Sequence, residues 1–353
     1  MDANVPAGVG IVLLGGLAAA LYLLPFRAVR GWKYETGWLV CILAGWVAFP
    51  LVFDACVVPG LPSVLSSDGV WTFVRTVLFG MLWGVGALCW ALMVRYLGIG
   101  LGLAIGAGLC SATGTLLPPI VGGRAASLVA TTGDVVVLVG VLVALVGIGF
   151  IGAAGRNKEG EMSAEEKRRA VREYDFRKGV VMAVVAGFAS AGINFGLQGA
   201  PTWESAALAQ GASPIWAGMP VLTVTIWGGV LVQLGWCLVQ HVRNQSFGDY
   251  VRRGSLVRNY FLGAAVGVVG ISQFVLQKIA EPLLGDVRYI SFAVLMSSAI
   301  FFSTGVGLVC GEWRGTSRRT RVLLAAGIAL LVAAFVLMGA KGWIEAGKTA
   351  AAA

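Results

Sequence analysis

Residues 79–120 read FGMLWGVGALCWALMVRYLGIGLGLAIGAGLCSATGTLLPPI, and this stretch decides the fold of the chain. It contains two apolar runs with a single short polar corner, Arg95-Tyr96, between them. Each run is long enough to cross the roughly 30 Å of hydrocarbon in a bilayer. The sequence therefore predicts a pair of transmembrane helices joined by a tight turn.

Small residues in this stretch allow close helix packing, and two tryptophans make it a candidate ligand site. Small residues on one face let helix backbones approach closely in lipid, where no hydrophobic drive brings helices together. Trp83 and Trp90 are seven residues apart and share one helix face. We expect this aromatic face, set in a glycine-rich frame that leaves room beside it, to hold a ligand. The glycines at helical spacing are Gly80, Gly84, Gly98, Gly102, Gly106, Gly108 and Gly114.

Composition places the whole chain in a membrane. The 353 residues are 58% hydrophobic and only 12% charged, and the mean hydropathy is +0.85. No soluble domain of this length needs that balance for its core. The net charge of +9 could suggest nucleic acid, but the basic residues fall in short loops between apolar runs, as membrane topology requires. We expect no nucleic-acid partner.

The residues that usually carry enzymatic or metal chemistry are scarce. All six cysteines lie inside apolar runs without a CxxC motif, and His241 is the single histidine. They are typical of small packing residues and not of metal ligands or disulfides. An enzyme would need a nucleophile with a base or a metal set. The sequence therefore predicts a protein that is not an enzyme and has no catalytic residues, bound metal or cofactor.

Hydropathy predicts an all-α integral membrane protein with ten transmembrane helices. Pro220 is the expected site of a kink, because a proline inside a span must have its backbone partners replaced. The chain begins without a basic segment or a cleavage site, so we expect the first run to be retained as a helix. The predicted spans are residues 8–24, 38–58, 72–94, 98–117, 135–153, 179–197, 214–239, 259–276, 289–310 and 322–340.

The positions of Lys and Arg predict the topology. Most of the 26 basic residues fall in the odd-numbered loops, whereas Lys278 falls in an even-numbered one. Since cytoplasmic loops carry the excess of positive charge, both termini are expected outside. The one long loop divides the chain into a five-helix half at residues 1–154, a cytoplasmic linker at 155–178, a second five-helix half at 179–345, and a disordered tail at 346–353.

An odd number of spans in each half predicts that the halves enter the membrane from opposite sides, as in transporters with inverted repeats. A weak internal repeat supports this arrangement. Residues 79–98 can be laid over residues 262–281, which pairs Gly80 with Gly263, Gly84 with Gly267, Trp90 with Gln273 and Arg95 with Lys278.

Short motifs along nearly the whole chain resemble those of the L-rhamnose–proton symporters, a branch of the drug/metabolite transporter superfamily. The order and spacing of these motifs carry the resemblance. They are Pro25-Phe26-Arg27, Trp32-x-x-Glu35-Thr36-x-Trp38, Phe79-Gly80, Trp83-Gly84-x-Gly86, Arg95-Tyr96-Leu97-Gly98, Gly114-Thr115, Pro119-Ile120, Ser190-Ala191-Gly192, Glu204 with Ala206-Ala207, Tyr289-Ile290-Ser291 and Glu312-Trp313.

The resemblance implies a ten-helix secondary transporter that takes up a deoxyhexose such as L-rhamnose together with protons by alternating access. It also implies a multi-pass protein of a bacterial inner membrane whose partners are a sugar, protons and the bilayer, and whose energy source is the proton gradient. The chain departs from the family in its third span. Where the rhamnose permeases carry amide side chains, it has Ala87, Leu88 and Cys89.

A sugar site in a membrane needs a flat aromatic surface and a few amides or hydroxyls that replace lost water. Polar groups in membrane helices are costly and hence candidates for function. The alternative role of such groups is hydrogen bonding between helices. Near span ends, Trp32, Trp38, Trp71 and Trp313 are instead expected to be interfacial anchors. The candidate sugar-binding residues are Trp83, Trp90, Asn194, Gln198, Trp227, Gln273 and Ser298.

Proton coupling needs a group that gains and loses charge during the cycle. The membrane segments offer three candidate carboxyls, and we expect one of them to titrate. Asp54 lies a turn inside the outer end of the second span, Glu35 lies at the cytoplasmic start of that span, and Glu204 follows the sixth. Each also has a structural alternative, either as a satisfied carboxylate, as a charge that complements a helix dipole, or as a loop acid.

Two other classes of membrane protein remain open from the sequence. An exporter of drugs or metabolites on the same fold is the main alternative. Exporters of hydrophobic cations are expected to carry a carboxylate near the centre of the membrane, and this chain has none near mid-span. A structural or sensory membrane protein is the other alternative, with the long charged loop as its output surface.

Overall fold

The computed structural model describes residues 4–162, 175–251, 255–341 and 343–344, and these residues form helices joined by turns and short loops, with no β-strand among them. Eight helical stretches within these described ranges are long and apolar enough to cross a membrane, which makes the chain a multi-pass integral membrane protein. The stretches are Val5–Ala28, Tyr34–Val57, Val70–Trp90, Thr132–Glu161, Arg177–Ala209, Met219–Asn244, Leu256–Val309 and Arg318–Gly339, with a shorter apolar helix at Ile105–Val121.

The α-helices are numbered here in chain order. A π-helical segment, Ile42–Ala48, joins α2 to α3 within one span. The first six are α1 (Val5–Leu21), α2 (Tyr34–Cys41), α3 (Phe49–Val57), α4 (Leu61–Ser66), α5 (Val70–Val121) and α6 (Thr132–Glu161). The others are α7 (Phe176–Ser190), α8 (Gly192–Gln198), α9 (Pro201–Ala209), α10 (Met219–Asn244), α11 (Leu256–Leu284), α12 (Ser291–Val309) and α13 (Arg318–Gly339).

Side chains just outside several helices satisfy the free N–H groups of the first turn. The Asn4 carboxamide oxygen accepts a hydrogen bond of 3.1 Å from a backbone N–H of α1. Thr131 and Asp134 form a capping box at the start of α6. Ser317 caps α13. Such caps matter near a membrane, where backbone groups without partners are costly.

Helix α5 has 52 residues and folds back on itself. A Cβ atom added at Gly106 would lie 2.6 Å from Met93 Sδ and 3.6 Å from the Trp90 ring. In a straight helix, Met93 and Gly106 would be about 20 Å apart along the axis, since each residue rises 1.5 Å. The two apolar runs predicted from residues 79–120 are therefore two neighbouring limbs. Helical backbone also continues through the predicted polar corner.

The packing order of the helices connects early and late parts of the chain. Helix α1 packs against α11 and α12, whereas α7 packs against α5. Helix α10 packs against α5, and α11 packs against the π-helical segment and α2. Helices α6 and α13 pack against each other. The centre of the bundle is thus enclosed by helices from both halves of the chain.

Glycine pairs allow two of these crossings to be very close. A Cβ atom at Gly84 on α5 would lie 2.8 Å from the carbonyl oxygen of Gly229 on α10. A Cβ atom at Gly267 on α11 would lie 2.9 Å from the Cα atom of Gly45 in the π-helical segment. No side chain fits in either contact, so the backbones touch directly.

Two sequence-based predictions about single residues are wrong. Pro220 is at the start of α10, where its missing N–H costs nothing, so it begins the helix and does not kink it. Lys278 was predicted in a loop, but it lies inside α11 and its side chain is only 3% exposed. Helix α11 continues beyond the apolar run because its later charges are paired within the protein.

The predicted domain boundaries stay predictions. Helix α6 ends at Glu161, so it extends into the segment 155–178 that was predicted as a linker. Residues 163–174 of that linker and the predicted tail at 346–353 lie outside the described residues.

Gly267→Ala is expected to lower the thermal stability of the detergent-solubilised protein. The new methyl group meets the backbone of the π-helical segment, and overpacking of this kind costs about 1–3 kcal/mol. Gly235→Ala is the matched control, because nothing lies within 4 Å of its added Cβ atom and alanine favours a helix. Equal unfolding temperatures for the two variants would contradict the close crossing.

Candidate functional site

A cavity of about 940 Å³ lies between the helices at the centre of the bundle. Its volume is in the range of small-molecule binding sites. Its wall combines aromatic rings with a small number of polar groups, as a sugar site requires. The aromatic residues are Tyr22, Tyr34, Trp38, Trp46, Trp83, Trp90, Trp236, Phe274 and Phe292, and the polar residues are Ser190, Gln233, Gln240 and Gln273.

Among the described residues, the lining of the cavity reaches one end of the bundle. Tyr34 at the start of α2, Leu23 after α1 and Gln240 near the end of α10 line it there. These residues adjoin the loops that the positive charges predict to be cytoplasmic. In the opposite direction the lining reaches Ile193 and Gln273, and the bundle is closed beyond them by polar contacts described below.

Aromatic rings form a continuous wall along the cavity. Tyr34 stacks on Trp38 with ring centroids 5.8 Å apart, and Trp38 meets Trp46 edge-on at 5.5 Å. Trp46 lies 5.3 Å from Trp83, which meets Phe274 edge-on at 5.6 Å. Such pairs hold one another in place. The wall therefore presents a fixed flat surface to the C–H face of a bound molecule.

Hydrogen bonds fix the orientation of two of the indoles. Trp90 Nε1 donates to Ser190 Oγ at 2.7 Å. Trp38 Nε1 donates to Gln233 Oε1 at 3.1 Å, and Gln233 Nε2 donates in turn to the Gly84 carbonyl at 3.1 Å. Trp38 was predicted to be an interfacial anchor, but it is 7% exposed and lines the cavity, because the helix turns its indole inward.

Three of the seven predicted sugar-binding residues lie together in this wall. Trp83 and Trp90 line it from the first limb of α5, and Gln273 lines it from α11. Gln273 Nε2 donates to the Gly270 carbonyl at 2.7 Å within its own helix. The structure thus brings the two predicted tryptophans and one predicted amide to a single cavity.

Asn194 lies just beyond the closed end of the cavity and does not line it. It is completely buried, and its Nδ2 donates to the Gly114 carbonyl. Its Oδ1 accepts from Gln277 Nε2 at 3.2 Å, and the same nitrogen is 3.1 Å from Ser291 Oγ. These groups form a polar layer that joins α8, α5, α11 and α12 above the cavity.

The other predicted sugar-binding residues lie elsewhere. Ser298 is buried against Gly16 at the contact of α12 with α1, and its hydroxyl donates to the Leu295 carbonyl at 3.1 Å. Gln198 and Trp227 are half-buried and line neither this cavity nor the one at the opposite end. Their side-chain N–H groups have no hydrogen-bond partner among the described residues.

A second cavity, of about 670 Å³, lies at the opposite end of the bundle and is lined by charged residues. We call it the outer cavity, because the predicted topology puts it outside. Its central residue is Lys278, whose Nζ donates to Glu281 Oε2 at 2.7 Å, to the Leu197 carbonyl at 3.0 Å and to Glu204 Oε1. The other charged lining residues are Arg124, Asp134, Asp286, Arg288 and Lys341.

The three predicted proton-coupling carboxyls have different surroundings. Glu35 is buried and accepts hydrogen bonds from Ser246 Oγ at 2.7 Å and Asn244 Nδ2 at 2.9 Å. Asp54 is buried, lines neither cavity, and its Oδ2 has no partner among the described residues. Glu204 alone of the three lines a cavity and pairs with a buried lysine.

Sequence reasoning did not predict two groups of cavity residues. Trp46 and Tyr34 in the aromatic wall were not singled out, since rings in apolar spans are common. Lys278 and Glu281 were missed as a buried pair because charges are read as the end of a span. Their spacing of three residues, which puts both side chains on one helix face, was the available signal.

A helical membrane protein with a deep central cavity, reaching one end of the bundle and closed by polar layers at the other, has the architecture of a secondary carrier. Comparison with known proteins agrees with this class. The family model "L-rhamnose-proton symport protein (RhaT)" matches residues 1–342. The chain therefore belongs to the RhaT family, whose members are transporters and not enzymes.

Curated relatives support this assignment over nearly the whole length. The L-rhamnose-proton symporter of Escherichia coli is 31% identical over 344 residues, which cover 96% of this chain and 98% of the relative. The proteins of the same name from Shigella sonnei and Shigella flexneri give the same identity and coverage.

Lys278→Met is expected to lower the free energy of unfolding by about 3–5 kcal/mol, since it leaves the buried Glu281 carboxylate without its partner. Arg288→Met is the matched control. The Arg288 guanidinium is 3.7 Å from Glu204 Oε2 and 38% exposed, so its loss should cost less than about 1 kcal/mol. Unfolding curves of the two variants in detergent measure the two losses of stability, and equal losses would contradict the central role of Lys278.

Proposed function

We propose that this protein imports L-rhamnose, or a closely related deoxyhexose, together with protons by alternating access. The single observation that carries the proposal is the aromatic and amide-lined cavity in a chain of the RhaT family. The related proteins from Escherichia coli and Shigella bear the name L-rhamnose-proton symporter. No cofactor is needed, because the proton gradient supplies the energy.

The chemistry of the wall suits a deoxyhexose. Such a sugar has hydroxyls at its rim, C–H groups on its faces and a methyl group in place of one hydroxyl. Trp83 and Trp46 offer the flat surface, while Gln273 and Gln240 offer hydrogen bonds. Ala87, which stands where the rhamnose permeases are expected to carry an amide, also lines the cavity. This apolar patch is a suitable neighbour for the methyl group or a C–H face.

We further propose ten membrane crossings in two oppositely inserted halves of five, with both termini outside, in the inner membrane of a bacterium. The number is ten when α11 and α12 each cross the membrane once and the two limbs of α5 also each cross it once. The packing supports the inverted repeat. If α1 corresponds to α7 and the first limb of α5 corresponds to α11, the α1–α11 contact corresponds to the α7–α5 contact. The glycine pairs Gly84–Gly229 and Gly267–Gly45 correspond in the same way. This arrangement is the one that the drug/metabolite transporter superfamily implies.

In this topology the structure is an inward-facing state. The central cavity extends to the end with the basic loops, and the Asn194–Gln277 layer and the ion pairs of Lys278 close the other end. Opening toward the outside requires α8 and α9 to separate from α11, since these contacts join them.

Among the three candidate carboxyls, we propose Glu204 as a member of the proton-coupling site. It lines the outer cavity and bridges α9 to Lys278 on α11, so its surroundings change when that end opens. Glu35 is held by neutral hydrogen bonds, and Asp54 lines neither cavity. One proton that crosses 100 mV supplies about 2.3 kcal/mol, enough for roughly fortyfold accumulation of the sugar.

L-Rhamnose is expected to raise the thermal stability of the detergent-solubilised protein more than other hexoses do. A ligand at a hundred times its Kd stabilises the folded state by about 2.7 kcal/mol. Gln273→Ala should abolish most of the shift because Gln273 lines the cavity, whereas Gln198→Ala should keep it. Stabilisation by none of a panel of hexoses and deoxyhexoses would count against the importer and favour an exporter of another polar solute.

Glu204→Gln is expected to stop accumulation of the sugar in vesicles with an imposed proton gradient, reducing a roughly fortyfold ratio to equilibration. Exchange of labelled for unlabelled sugar should continue, because it needs no net proton movement. Glu35→Gln and Asp54→Asn are the comparison variants and should still accumulate sugar. If all three variants accumulate it as the wild type does, none of these carboxyls couples transport to protons.

A further inference from the structure

A buried carboxyl outside the predicted set lies at the centre of the outer cavity. Glu281 is 5% exposed, on α11 one turn beyond Lys278. Its Oε2 accepts a hydrogen bond of 2.7 Å from Lys278 Nζ, but its Oε1 is buried and has no partner among the described residues. A buried carboxylate oxygen without a partner is costly, so its presence needs an explanation.

Glu281 shares the buried Lys278 ammonium with a second carboxylate, Glu204, which is 23% exposed. Lys278 Nζ serves both Glu281 and Glu204, so one ammonium faces two carboxylates. Arg288 approaches Glu204 at 3.7 Å, but it is 38% exposed and largely screened by water. Asp134 and Lys341, which line the same cavity, pair with each other at 2.7 Å. The other charges on the lining are Arg124 and Asp286.

We propose that Glu204, Lys278 and Glu281 form the proton-binding site of the carrier, and that Glu281 holds the transported proton. This inference rests on the proposed function as a proton-coupled importer and adds the residue that binds the proton. The unpartnered Oε1 is the atom that the proton would occupy. Its uptake changes the charge of the three-residue site from −1 to 0, while Lys278 keeps its own proton.

The geometry explains why closing the outer end would bind a proton. Lys278 and Glu281 are on α11 and stay together, whereas Glu204 is on α9 and leaves when the outer end opens. Closure brings the second carboxylate to the same ammonium. Two carboxylates that share one site repel each other, which favours protonation of one of them. A proton from the outer cavity removes that repulsion and so favours the closed outer end. Its release toward the central cavity, on the cytoplasmic side, restores the repulsion and lets the outer end open again.

The same helix connects this site to the sugar cavity. Gln277 precedes Lys278 in α11 and belongs to the polar layer with Asn194, and Gln273 lies one turn earlier in the cavity wall. A movement of α11 that closes the outer end therefore shifts the sugar-facing residue as well. Proton binding and sugar enclosure therefore both involve movement of α11.

The test is Glu281→Gln in sealed vesicles, with L-rhamnose as the probe. The amide mimics a protonated carboxyl, so exchange of labelled for unlabelled L-rhamnose should continue. Accumulation against a gradient, and the alkalinisation that accompanies uptake by the wild type, should fall at least tenfold. Asp134→Asn is the matched control, a carboxyl paired with another lysine in the same cavity, and it should keep both proton-linked activities.

The outcomes separate this inference from the proposed function. If the wild type does not exchange L-rhamnose, the proposed substrate is wrong whatever Glu281 does. If the wild type does and Glu281→Gln accumulates and alkalinises normally, Glu281 does not hold the transported proton. If Glu281→Gln fails to fold, Glu281→Asp tests the assignment of Glu281 as the proton-binding residue. Because it keeps an ionisable group at a shorter reach, it should keep exchange and shift the pH dependence of accumulation, and an unchanged pH profile would overturn the assignment.

Discussion

Direct backbone contact at glycine pairs is the constraint on which the central cavity depends. Lipid offers helices no hydrophobic reason to associate, so close contact must come from small residues. Gly267 meets Gly45 in the π-helical segment, and Gly84 meets Gly229. Where one side of each helix has no side chain, bulky rings such as Trp46 can extend from the other. The wider π-helical turn, a feature common at functional sites, carries both Gly45 and Trp46.

Polar groups inside the bundle form layers from the central cavity to the outer end, and each layer has a different role. Beside the central cavity, amides such as Gln233 hold indoles in place. Above the cavity, Asn194 bonds to the Gly114 carbonyl and to Gln277, and Gln277 Nε2 also reaches Ser291 Oγ. These two amides join helices and do not line the cavity. At the outer end charged groups gather around Lys278. Because a bilayer supplies no water to buried groups, each of these layers must be satisfied by protein or by cargo.

Periodicity in the sequence was sufficient to predict the features that depend on a single helix. Trp83 and Trp90 reach the same cavity because their spacing of seven keeps them on one face. Features that depend on how two helices are rotated against each other could not be predicted in this way. Asn194 is as polar as Gln273, yet it faces Gln277 and not the cavity. The buried position of Lys278 was missed because hydropathy ends a span at its first charge, whereas a partner such as Glu281 lets the helix continue.

Helix α11 connects the two proposed sites of the carrier, the sugar site and the proton site. Gln273 and Glu281 are eight residues apart, which is about 12 Å along the axis, and the backbone between them is continuous helix. A rigid element of this length cannot tilt at its outer end without moving the wall of the cavity. Coupling between two binding events is reciprocal, so a sugar that favours one position of α11 must favour the proton that binds in that position. Symport needs no contact between sugar and proton, only a shared preference for one position of this helix.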